Sequence, residues 1–127
     1  MDIPALLMVP ALLIAPALIA SFVSSVELSP FWEELIDFLK NTIELVKKTV
    51  PGILYGTKVF VKKTGETIKV IFDHYSKSGD RWIKTTYTRE VSEYDIPDDI
   101  LQRAKLAELK NEAVDITKEI EMKLETK

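Results

Sequence analysis

Hydrophobic positions along this chain fall into four regimes. Residues 3–26 carry no charged side chain, and twelve of these 24 positions are Leu, Ile, Val or Phe. From Ser29 onward Trp32, Leu35, Ile36, Leu39, Ile43, Val46 and Val50 recur at three- and four-residue steps, which is one face of an α-helix. Residues 57–62, 67–75 and 81–89 are then rich in Val, Ile, Thr, Phe, Tyr and Trp, the composition of strands. Beyond Asp95-Ile96-Pro97-Asp98-Asp99, which reads as a helix start, a helical pattern runs to about Leu124.

The expected fold class is therefore α+β: an N-terminal hydrophobic, transmembrane-type helix, an amphipathic helix, a three-stranded antiparallel β-meander and a long C-terminal helix. The boundaries are 1–28 for the hydrophobic segment, 29–52 for the amphipathic linker helix, 53–92 for the meander and 93–127 for the charged C-terminal helix. Hairpin turns are expected at Lys63-Thr64-Gly65-Glu66 and Lys77-Ser78-Gly79-Asp80. In the middle strand Ile68, Val70 and Phe72 should share one face, with Lys69, Ile71 and Asp73 on the other.

A helix over Ile3–Val26 would be about 36 Å long against a hydrocarbon core of about 30 Å, so it is long enough to span with some tilt. Pro4, Pro10 and Pro16 recur every six residues within it. Pro4 fits a first helical turn, but Pro10 and Pro16 each remove a hydrogen bond. Such a helix gains from neighbours that satisfy its backbone, and the small residues Ala11, Ala15, Ala17 and Ser21 would admit them closely. Pro4, Pro10, Ala11, Ala15, Pro16, Ala17 and Ser21 are accordingly the expected membrane or assembly contacts, joined by Phe31 and Trp32 at the headgroup level. A cleaved signal peptide is the rival, opposed by an acidic rather than basic start at Met1-Asp2 and by a run longer than an ordinary signal core.

The amphipathic helix has matching ends. Ser29-Pro30 supplies a cap and first-turn proline, Glu33 and Glu34 follow, and Lys47 and Lys48 precede Pro51-Gly52. Its apolar stripe is expected to pack on the meander, with the membrane interface as the alternative. In the C-terminal helix Leu106, Leu109, Ala113, Ile116 and Ile120 step by three and four, a short coiled-coil-like seam available to a partner helix or to the chain's own sheet.

Charge changes the picture in one respect. The net total of −3 hides segments of −3 for 1–52, +5 for 53–89 and −5 for 90–127. Lys58, Lys62, Lys63, Lys69, Lys77, Arg81, Lys84 and Arg89 interleave with Phe60, Tyr75, Trp82 and Tyr87, a combination that can neutralise and stack on a nucleic-acid strand. Exposed strands use lysine for solubility as well, and a basic sheet can complement an acidic helix within one fold. Nucleic acid is therefore not the expected partner.

Candidate chemistry is sparse. The chain has no Cys and a single histidine, His74, which removes thiol nucleophiles, Cys-ligated metals and most histidine relays. His74 is read as a satisfied or solvent-facing strand residue, and Asp98-Asp99 as helix N-terminal charge. No catalytic, cofactor or metal residues are assigned. The expectation is a non-enzymatic single-pass membrane protein, an accessory or scaffold subunit of a larger assembly, with membrane lipid and protein partners or copies of itself as contacts. Its folded part is placed on the cytoplasmic side. The alternative is a self-assembling filament or particle subunit with the apolar segment in the assembly core, and a membrane-tethered nucleic-acid-binding module ranks third.

Overall fold

The computed structural model describes residues 7–8 and 29–125. It is α+β. Strand β1 (Leu7–Met8) is followed by α1 (Pro30–Thr49), the long strands β2 (Ile53–Thr64), β3 (Thr67–Ser78) and β4 (Arg81–Val91), helix α2 (Asp98–Glu108), the short strand β5 (Val114–Asp115) and helix α3 (Thr117–Glu125). A single 3-10 turn, Glu93–Asp95, joins β4 to α2.

Helix α1 begins where the chain stops being extended. Ser29 has φ −64° and ψ 153°, Pro30 occupies the first turn, and Glu33 N–H donates to Ser29 O at 3.2 Å. It ends at Val50, whose N–H donates to Val46 O, because Pro51 has no N–H with which to continue. The expected stripe is the buried face: Leu35, Ile36, Leu39, Ile43 and Val46 are each at most 3% exposed. Phe31 and Trp32 are buried with them, their rings 5.0 Å apart, so they belong to the domain core rather than to a headgroup belt.

The meander pairs β2 with β3 and β3 with β4, all antiparallel. Two-residue turns close both hairpins at Gly65-Glu66 and Gly79-Asp80. Gly65 and Gly79 have φ of +62° and +64° while Glu66 and Asp80 do not turn positive, the type II′ arrangement whose twist suits adjacent strands. Tight turns let the strands run longer than their apolar cores, to 12, 12 and 11 residues. A bulge between Leu54 and Gly56 inserts Tyr55 and bends the start of β2.

Alternation sorts the sheet into two faces. Val59, Val61, Ile68, Val70 and Phe72 are at most 1% exposed and meet the helices. Ile100, Leu101 and Ala104 from α2 and Ile116, Ile120 and Leu124 from the C-terminal end complete the same core. All of this burial lies on one side of the sheet.

Two expectations need correction. The C-terminal region is two helices, not one: α2 stops at Glu108, Asn111 takes φ +55°, and Glu112 N–H returns to Ala107 O at 2.9 Å. Asparagine tolerates that left-handed conformation, so it ends a helix much as glycine does. Val114–Asp115 then pairs with Phe60 and Val61 of β2. Asp115 Oδ1 accepts from Thr117 N–H at 2.8 Å and starts α3. The five seam residues consequently form no single stripe. Leu106 and Leu109 are 65% and 83% exposed and Ala113 is exposed, whereas Ile116 and Ile120 are fully buried.

The second correction is at the N-terminus. Leu7 and Met8 pair with Thr57 and Gly56 as an edge strand, where a helix over Ile3–Val26 would have included them. They lie just before Pro10, which would remove a hydrogen bond from a helix running through them, and the edge of β2 offers unpaired backbone groups. The remainder of residues 3–26, with Pro4, Pro10, Ala11, Ala15, Pro16, Ala17 and Ser21, lies outside the described residues. Among the described residues no helix is long and apolar enough to cross a membrane.

Candidate functional site

Among the described residues, the helices leave the second face of the meander open. The registers Lys58↔Asp73, Phe60↔Ile71 and Lys62↔Lys69, continued on β4 by Thr86, Thr88 and Glu90, place these side chains together on that face. Toward the other end lie Tyr75, Lys77, Trp82 and Lys84. Tyr55, carried out by the bulge, sets its ring at a tilt against Trp82 with centroids 5.3 Å apart, and Lys77 Nζ sits 5.4 Å from the Trp82 ring centroid.

The basic residues of the sequence pattern therefore divide. Lys58, Lys62, Lys69, Lys77 and Lys84 project from the open face. Lys63 and Arg89 are turned to the helices, where Lys63 Nζ meets Glu108 at 3.0 Å and Arg89 meets Glu34 at 3.4 Å. Tyr87 is also on the helix side, 5.7 Å from the His74 ring. Lys58 in turn has Asp115 at 3.6 Å. The acidic C-terminal region thus engages the basic sheet at Lys63 and Lys58, which is the internal complementarity anticipated from the segment charges.

At the β2–β3 hairpin end the open face hollows into a half-open cavity of about 470 Å³ lined by Lys62, Thr64, Thr67, Lys69, Ile71 and Thr88. Lys62 and Lys69 are directly opposite one another across the strand pair, and Thr64 and Thr67 form the next pair toward the turn. Sequence reasoning named both lysines but missed the pairing. The signal was present, since a two-residue turn at Gly65-Glu66 places residues equidistant from it in register.

Asp73, in the middle of this face, is 8% exposed and accepts from Thr86 Oγ1 at 2.6 Å. Burial, and secondarily the charge of Asp73, raises the Tyr75 hydroxyl above its ordinary pKa, so it stays neutral at physiological pH. The negative groups interrupt the lysines. Uncompensated positive charge on the open face is therefore concentrated at its two ends, Lys62 and Lys69 at one and Lys77 and Lys84 at the other.

His74 faces the opposite way and is fully buried. Thr42 Oγ1 donates to Leu39 O at 3.1 Å, so at 2.8 Å from His74 Nε2 it accepts the ring proton. Nδ1 then accepts from Thr57 Oγ1 at 2.7 Å. Burial lowers the His74 pKa to about 4 against a smaller opposing effect of Asp73, so the ring is neutral and wholly used in structure. Ser76 Oγ, two residues on and equally buried, has no hydrogen-bond partner among the described residues. Among the described residues no group of three His, Cys, Asp or Glu side chains converges as a metal site would require.

Compared with known proteins, the chain matches no family model, no curated protein and no solved structure. The functional reading therefore rests on its own residues.

Proposed function

We propose that the chain is a non-enzymatic, membrane-attached accessory or scaffold subunit of a larger assembly. The observation that supports this most directly is the juxtaposition of 24 uncharged residues with a one-sided α+β domain. The segment supplies attachment, and the sheet face that the described helices leave open supplies a surface for partners. Lysines and aromatics together suit a surface that works beside anionic headgroups. In this reading the chain meets membrane lipid through residues 3–26 and protein partners or copies of itself through the folded domain.

A second reading follows from the edge strand. Leu7–Met8 adds to β2 by backbone hydrogen bonding, the same mode by which chains extend one another's sheets. This favours a self-assembling subunit whose apolar segments pack in a protein core.

The test is the environment of the full chain. Membranes washed with alkaline carbonate should retain it, and native mass measurement in mild detergent should find it oligomeric or partner-bound. Replacing Ala11, Ala15 and Ala17 with Leu should weaken that association while leaving membrane retention intact. A soluble, monodisperse, monomeric full chain without detergent overturns the proposal. Large soluble assemblies without lipid favour the second reading.

A further inference from the structure

We infer that the cavity at the β2–β3 hairpin is a binding site for a phosphomonoester group, carried by a small ligand or by a lipid headgroup. Lys62 and Lys69 face each other directly across two antiparallel strands, a like-charge pair that costs stability in the empty sheet. Neither closes an ion pair among the described residues, although Glu90 is the register neighbour of Lys69 on β4 and Glu66 lies in the adjoining turn. An anion held between the two ammonium groups converts that repulsion into two charge-assisted contacts.

The rest of the lining fits the same ligand. Thr64, Thr67 and Thr88 bring three hydroxyls to the cavity, and Ile71 supplies an apolar wall for the body to which the phosphate is attached. A volume of about 470 Å³ suits a small organic phosphate. The apolar wall and the short reach of the threonine hydroxyls suit a compact tetrahedral group, whose several oxygens engage lysines and hydroxyls at once.

An extended nucleic-acid strand fits less well. Lys69 and Lys77 are eight residues apart on β3, about 27 Å, and Asp73 lies between them. Lys58 is already beside Asp115. The basic groups form two separate ends rather than a continuous track, and the cavity lies at the Lys62–Lys69 end. The inference does not depend on where residues 3–26 reside.

The experiment uses the full chain in a zwitterionic detergent, with methyl resonances of Thr64, Thr67, Ile71 and Thr88 as the readout. Inorganic phosphate and glycerol 3-phosphate are titrated in solution. A parallel arm uses nanodiscs of phosphatidylcholine with and without phosphatidylinositol 4-phosphate. Saturable shifts confined to the cavity methyls are expected in at least one arm, weakened at least ten-fold in the K62Q/K69Q double variant. A K47Q/K48Q variant, which removes equal charge from α1, should stay within two-fold of the original. Response to the soluble phosphates assigns a free ligand, and response to the phosphoinositide nanodiscs alone assigns a headgroup. Absence of saturable shifts in every arm overturns the site, as does equal weakening in the two double variants. An oligonucleotide that binds more tightly than any phosphate probe, and depends on Trp82 and Lys77 rather than Lys62 and Lys69, also overturns it.

Discussion

His74 and Thr57 join two strands through a buried hydrogen bond, Thr57 Oγ1 donating to His74 Nδ1 at 2.7 Å. The other ring nitrogen reaches Thr42 on α1, so one neutral imidazole ties the sheet to the helix that covers it. Protonating the ring would leave a charge whose hydrogen-bond partners among the described residues are two threonine hydroxyls, with no carboxylate.

This relationship makes stability depend on pH. His74 binds its proton at about 4 when folded and near 6.5 when unfolded, so between those values the unfolded state binds more protons. The contribution is fully present above about pH 6.5, declines as pH falls, and is lost below about pH 4. The shift corresponds to about 3 kcal/mol. Urea unfolding of the full chain at pH 7, 6, 5 and 4 should show this loss, and H74N should flatten it.

The contact between α1 and the sheet should be essential to the domain. Leu39 and Ile43 are each 1% exposed, and an aspartate at either position would bury an unpaired charge. L39D or I43D should cost about 4 kcal/mol or more, enough to remove most of the stability of a domain this size. Loss of the cooperative thermal transition is the expected measurement.

Glycines in the connections should differ in their tolerance. Gly52 has φ +97°, and a Cβ there would meet Lys77 O at 2.3 Å, a backbone atom that cannot step aside. At Gly65, φ is +62° but nothing lies within 4 Å of the added carbon. G52A should therefore destabilise by about 2 kcal/mol or more and G65A by about 1 kcal/mol, read from chemical denaturation midpoints.

The break after α2 separates two classes of leucine and isoleucine. I116A and I120A should each cost about 2–5 kcal/mol because both side chains are fully buried. L106S and L109S, at exposed positions, should change stability by less than about 0.5 kcal/mol. A continuous helix with a single apolar seam would instead give all four similar effects.

Periodicity alone determined the parts of this protein in which one residue's environment repeats at a fixed interval. The stripe from Trp32 to Val46 and the alternation of Ile68, Val70 and Phe72 against Lys69 and Ile71 specify a helix and strands. Gly65 and Gly79 specify their turns through backbone freedom at positive φ. The pairing of Lys62 with Lys69 followed from the same turn length. Tertiary structure decided what periodicity leaves degenerate. Steps of three and four do not distinguish one helix from two, and the choice at Asn111 was made by Val114 and Asp115, whose backbone gains partners on β2 only if the chain leaves the helix. Which side of the sheet each aromatic of β4 takes was likewise beyond its own local pattern, because Tyr87 and Trp82 are equally apolar in sequence. They differ only in which side of the sheet the helices cover, and that is settled by where the buried area of the whole chain is greatest.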